Sequence, residues 1–209
     1  MEKVARFIVS TLIVAAIVHA VLVRAGDPDI LKDILVPPSI DPNNITRQYL
    51  TYTGFRLLRK ANVTGKTTAL IAKASVKEFP ALEGQGISAS MIIYPPSGIN
   101  PPHIHQRASE LLMVLHGELE VGFIDSSNKL YKQTLQSSDL FIFPKGLVHY
   151  QINTKSDYPS YAVAMFGSAS AGTISLPKTL FGTGISPDIL SKAFKVDGDT
   201  ISKLIRGTQ

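Results

Sequence analysis

Pro101-Pro102-His103-Ile104-His105-Gln106-Arg107-Ala108-Ser109-Glu110-Leu111-Leu112-Met113-Val114-Leu115-His116-Gly117 is the stretch on which the reading of this chain turns. His103 and His105 are two apart, so on a strand both imidazoles point to one face. Glu110 lies an odd number of positions beyond His105, which would put it on the opposite face of an unbroken strand. Residues 106–109 must therefore bend or bulge the chain for Glu110 to join the pair. Gly117 suits the turn that ends the next strand, and His116 before it reads as solvated.

A second motif lies downstream. In Pro144-Lys145-Gly146-Leu147-Val148-His149, Pro-x-Gly forms a turn and His149 opens the strand after it, with Asn153 beyond. If that strand runs beside the first pair, it supplies a third imidazole. Three neutral imidazoles and one carboxylate suit a first-row transition metal. An octahedral shell built on His103, His105, Glu110 and His149 leaves positions open for water, an oxygen species or a small anion. Structural zinc closes its shell and favours cysteine, so this donor set points to a catalytic or redox-active ion.

Around these motifs the chain has a β pattern. Short apolar runs at 68–75, 87–94, 111–115, 118–124, 130–135, 140–143, 149–153 and 162–166 are separated by Gly, Pro, Asn and Ser. Leu119, Val121 and Phe123 share one parity, which leaves Glu118 and Glu120 facing solvent. Many short strands at regular spacing predict an all-β sandwich or closed barrel. The ending differs. Ser186-Pro187 reads as a helix start, with Ile189, Leu190, Ala193 and Phe194 on one face. Asp197 or Asp199 caps a second helix, with Ile201, Leu204 and Ile205 as its apolar stripe and Gly207 as its stop.

The N-terminus reads as a secretory signal. Glu2, Lys3 and Arg6 precede an apolar run over residues 7–23, and Val23-Arg24-Ala25 offers a cleavage point, with Ala20 an earlier one. The alternative is an uncleaved anchor, but the run is slightly short of a span and is interrupted by His19. The expected organisation is a signal peptide over 1–25, an extended arm rich in Pro, Asp and Asn over 26–54, a barrel over 55–185 and helices over 186–209.

Composition narrows the function. Removing residues 1–25 takes away Lys3, Arg6, Arg24 and Glu2, so the formal charge falls from +5 to +3. No Lys/Arg run is clustered, so there is no electrostatic footprint for nucleic acid, and no membrane contact is expected after signal cleavage. The chain has no cysteine, which removes disulfides, thiolate catalysis and Cys-ligated zinc. Asn44-Ile45-Thr46 and Asn62-Val63-Thr64 are N-glycosylation sequons on the secretory route.

The two histidine motifs resemble the paired signatures of the cupin family, through His103, His105, Glu110, Gly117, Pro144, Gly146, His149 and Asn153. Ser97 and Ser138 stand where glycines commonly open those motifs, which leaves the local turn geometry open. The stretch from Asn100 to Glu110, Phe143-Pro144-Lys145-Gly146-Leu147-Val148-His149 and Pro177-Lys178-Thr179-Leu180-Phe181-Gly182 are similar to boxes of plant germins and germin-like proteins. The resemblance implies a cupin jelly-roll β-barrel with a short C-terminal helical extension. It also implies manganese as the cofactor and an extracellular, apoplastic homo-hexamer built as a trimer of dimers.

Activity is not settled by the resemblance. Oxalate oxidases of the family place two asparagines beside the metal. One corresponds to Asn100, the other by ungapped counting to Ser90, which is shorter and offers one hydroxyl in place of an amide, so oxalate orientation would suffer. Most members also carry a cysteine pair near the mature N-terminus. Leu35 stands near one of those places, so the arm must be held differently, for instance by subunit packing. Three readings follow. They are a manganese redox enzyme of superoxide dismutase type, an oxalate oxidase releasing hydrogen peroxide, and a non-enzymatic wall or receptor protein with a structural metal.

Overall fold

The computed structural model describes residues 30–208, so the expected leader and both of its cleavage points lie outside the described residues. The strands are β1 (Leu70–Ala74), β2 (Ser88–Tyr94), β3 (Ile99–Ile104), β4 (Glu110–His116), β5 (Glu118–Ile124), β6 (Leu130–Gln136), β7 (Leu140–Phe143), β8 (His149–Ile152), β9 (Ser160–Phe166) and β10 (Ile174–Ser175). They form two five-stranded sheets, ordered β1-β2-β9-β4-β7 and β10-β3-β8-β5-β6. Alternation along each strand sends one parity inward. Leu112, Val114, Leu119, Val121, Phe143, Ala162 and Ala164 are buried between the sheets of this jelly roll. Each buried Leu, Val or Phe contributes about 1.5–3 kcal/mol.

Residues 106–109 do not bulge a single strand. They carry the chain from β3 in one sheet to β4 in the other. The odd spacing between His105 and Glu110 is thereby resolved, because the ligand types approach from facing sheets. The β3 strand was hidden in the sequence by Pro101 and Pro102, which have no N–H to donate. It pairs with β8 at Ile99↔Ile152, Asn100↔Gln151 and His103↔His149, and its register shifts between Asn100 and His103, where the prolines sit.

The region after residue 54 does not enter the sheet at once. Gly54–Lys60 forms a 3-10 helix before β1. The described part of the arm is held by its own chain. Tyr49 Oη donates to the Leu35 carbonyl at 3.2 Å, and Gln85 Nε2 donates to the Asp33 carbonyl at 3.2 Å.

Ser97 and Ser138 have φ values of 57° and 78°, so the turns keep the left-handed backbone that glycine would supply freely. A side chain there costs about 1–2 kcal/mol. Ser97→Gly and Ser138→Gly are each expected to raise the melting temperature by roughly 2–4 °C. Thermal melts check this; a lowered value in both variants would refute the strain argument.

At the C-terminus, α1 (Leu176–Phe181), with Pro177 in its first turn, precedes α2 (Pro187–Phe194) and α3 (Gly198–Arg206). Asp197, not Asp199, caps α3, accepting from the Thr200 N–H at 2.8 Å. Leu190 and Ile201 are buried, whereas Ile189, Phe194 and Leu204 stay exposed. Among the described residues no helix is long and apolar enough to cross a membrane.

Candidate metal centre

Pairing of β3 with β8 sets His103 directly opposite His149. His105 follows the end of β3, and Glu110 opens β4 on the facing sheet. The four side chains are buried, and one donor atom from each lies within 4.8 Å of all the others. Glu110 Oε2 is 2.9 Å from His105 Nε2 and 3.3 Å from His149 Nε2.

The orientation of the rings comes from backbone carbonyls. His103 Nδ1 lies 2.8 Å from the Pro101 carbonyl and His149 Nδ1 2.8 Å from the Leu147 carbonyl. His105 Nδ1 meets the Gly172 carbonyl in the strap that follows β9. An Nδ1–H donated to each carbonyl leaves the Nε2 atoms facing one another and the carboxylate. Three imidazoles and one carboxylate converging in this way fit a divalent metal ion. Packing holds the rings further: Phe143 stacks on His149 at 4.5 Å between centroids, and Phe166 meets His105 edge-on at 4.7 Å.

Electrostatics agree with this division of roles. Burial pulls His103 down to about 4, with His149 adding to the effect, so the ring is neutral at ordinary pH. Burial alone would raise the Glu110 carboxyl, but hydrogen bonds from His105 and His149 outweigh it and hold it at about 2.

Gln151 was not singled out in the sequence. Fully buried on β8, it donates from Nε2 to Glu110 Oε1 at 3.1 Å and accepts from Asn100 Nδ2 at 2.7 Å. It thereby orients the carboxylate and fixes the Asn100 amide. The signal was its two-residue spacing from His149, which puts His149, Gln151 and Asn153 on one inward parity. Asn153 serves the fold, its Nδ2 donating to the carbonyls of Tyr94, Pro95 and Tyr158 at 2.8–3.3 Å.

A cavity of about 320 Å³ opens beside His103, His105 and Glu110, and Ser90 and Asn100 both line it. His116 lies outside the cluster, exposed beside Tyr161. Glu118 and Glu120 are half-buried and pair with Lys155 at 3.0 Å and Lys132 at 3.1 Å. Asn62 is exposed in a turn, and its Oδ1 accepts from the Thr64 N–H at 2.9 Å; the Asn44 side chain lies outside what is described.

Residues 55–202 match the cupin family. Germin-like protein 9-3 of Oryza sativa subsp. japonica is 47% identical over 94% of this chain and 94% of its own length. The chain belongs to the germin-like proteins of the cupin family. A further germin-like relative, germin-like protein subfamily 2 member 1 of Arabidopsis thaliana, is 40% identical over 86% of this chain and 87% of its own. Among solved structures, oxalate oxidase in complex with the substrate analogue glycolate superposes with a TM-score of 0.79 at 30% identity, over 87% of this chain and 98% of that one. The germin-like barrel therefore carries a buried His/Glu set that fits a metal ion.

Proposed function

We propose that this germin-like protein is a secreted manganese-binding protein of the plant apoplast with superoxide dismutase-type redox activity, serving defence or cell-wall processes. His103, His105, Glu110 and His149 would hold the ion. The observation that carries this reading is the buried cluster of three carbonyl-anchored imidazoles and one carboxylate beside an open cavity. Bound manganese supplies reversible one-electron redox change. The chain's own part is to hold the donor atoms in place, keep Glu110 ionised to favour the higher oxidation state, and admit a small anion or oxygen species from the cavity side. Secretion rests on the signal pattern over residues 1–25, and Asn44 and Asn62 are the proposed glycosylation sites. A homo-hexamer arranged as a trimer of dimers is supported by apolar side chains left exposed, Leu140 and Ile142 on β7 and Ile189 and Phe194 on α2.

Elemental analysis of native protein and a dismutase assay of the manganese-loaded form test the proposal. Activity well above that of free manganese is expected, and its absence would sink the dismutase reading. Oxalate oxidation is the second reading, favoured by the likeness to oxalate oxidase and by Asn100 in the cavity wall. Ser90 weakens it, because a buried hydroxyl stands where that reaction uses an amide. Wild type and Ser90→Asn assayed side by side with oxalate give the test, and robust wild-type turnover would reverse the ranking. Retained biological effect in metal-free His103→Ala would favour the non-enzymatic reading.

A further inference from the structure

Lys73 lies on β1 and, with Ile71 and Ser75 on the same parity, lines the metal cavity. Two other charged groups stand at this mouth, Lys77 and Glu78. They are adjacent and oppositely charged, and the Glu78 carboxylate is engaged by the backbone N–H and hydroxyl of Ser75. Lys73 is different. Among the described residues no carboxylate lies within 4.0 Å of its ammonium. It is thus a cation facing the cavity with no counter-ion among the described residues.

Its place in the register sets its backbone apart from that of Glu110. Across the sheet the row runs Lys73, Ser90, Ala164, Leu112, and Glu110 is two residues from Leu112 on β4. Three strand spacings separate the β1 and β4 backbones, about 14 Å along the sheet. A ligand that meets both the metal donors and the Lys73 ammonium must extend along the sheet from β4 toward β1. Near the donors the wall offers a second carboxylate neutral groups only, the Ser90 hydroxyl and the one Asn100 N–H not donated to Gln151, so the unpaired charge of Lys73 is the stronger partner. The cavity of about 320 Å³ has the volume of roughly ten water molecules, far more than a diatomic oxygen species fills.

We infer that Lys73 is a specificity-determining residue that selects organic anions carrying a negative group remote from the oxygen that meets the metal. The inference rests on the metal-centre reading above. One end of such a ligand would lie at the open side of the donor set and its distal carboxylate would pair with the Lys73 ammonium.

Isothermal titration calorimetry of the manganese-loaded full chain with oxalate, malonate, succinate and glutarate tests this. Wild-type affinity is expected to rise with length, with succinate or glutarate at least tenfold tighter than oxalate. Lys73→Met should abolish that preference with metal content unchanged, and Lys73→Arg should restore it. Oxalate binding tightest, no binding of the longer diacids, or a preference that survives in Lys73→Met would each overturn the inference. Normal metal uptake with a flat series overturns this inference alone. Failure to take up metal at all overturns the metal-centre reading, and this inference with it.

Discussion

Loading the purified protein with manganese is expected to raise its melting temperature by on the order of 10 °C, and Glu110→Ala is expected to abolish the rise. The four donor atoms already converge within 4.8 Å, so binding needs little rearrangement and its free energy appears as stability. At free metal a thousandfold above the dissociation constant, the linkage is about 4 kcal/mol. For a domain of this size each kcal/mol moves the midpoint by roughly 2–4 °C. Glu110 is the one anionic donor and sits 2.9 Å from His105 Nε2 and 3.3 Å from His149 Nε2, so its loss removes the charge that offsets the ion. Matched thermal melts with and without metal, each paired with elemental analysis, give the result. Equal midpoints for loaded and metal-free wild type, or an undiminished rise in Glu110→Ala, would refute the assignment.

Acidification should destabilise the metal-free protein in two successive windows. His103 is held at about 4 in the folded chain, chiefly by burial, against an ordinary value of 6.5. As pH falls below 6.5 the unfolded chain takes up this proton first, so it is stabilised relative to the folded one. The stability is therefore complete above 6.5 and is lost as pH falls toward 4, amounting to about 3 kcal/mol. Glu110 follows the same sign lower down. Its folded value of about 2 lies below the ordinary 4.5, so its contribution is present above 4.5 and is lost on approach to 2. Chemical denaturation of wild type and His103→Gln across pH 4–7 isolates the first window. The wild-type stability should fall relative to the variant there, whereas parallel curves would show that the His103 ring carries no such penalty. Metal release on acidification is expected in the same window, because protons and metal compete for the same nitrogen lone pairs.

The sequence by itself determined a great deal about the centre and its setting. Two-residue spacing made His103 and His105 neighbours on one face, and a Pro-x-Gly turn delivered His149 to the start of a strand. Short alternating segments implied an all-β barrel, and the cap residues Ser186 and Asp197 marked the two last helices. These features are legible because strand parity, turn chemistry and capping act within a few residues.

What tertiary structure decided depends on partners distant in sequence. Only the assignment of β3 and β4 to different sheets explains how Glu110 reaches the histidines. Pro101 and Pro102 have no N–H to donate, yet pairing with β8 across a register shift still makes residues 99–104 a strand. Carbonyl partners such as Gly172 for His105, the bridge from Asn100 through Gln151 to Glu110, and the row that sets Lys73 opposite Ser90 all follow from strand register. Residue types alone carry no register; it emerges when the whole barrel closes and each inward parity finds its opposite wall.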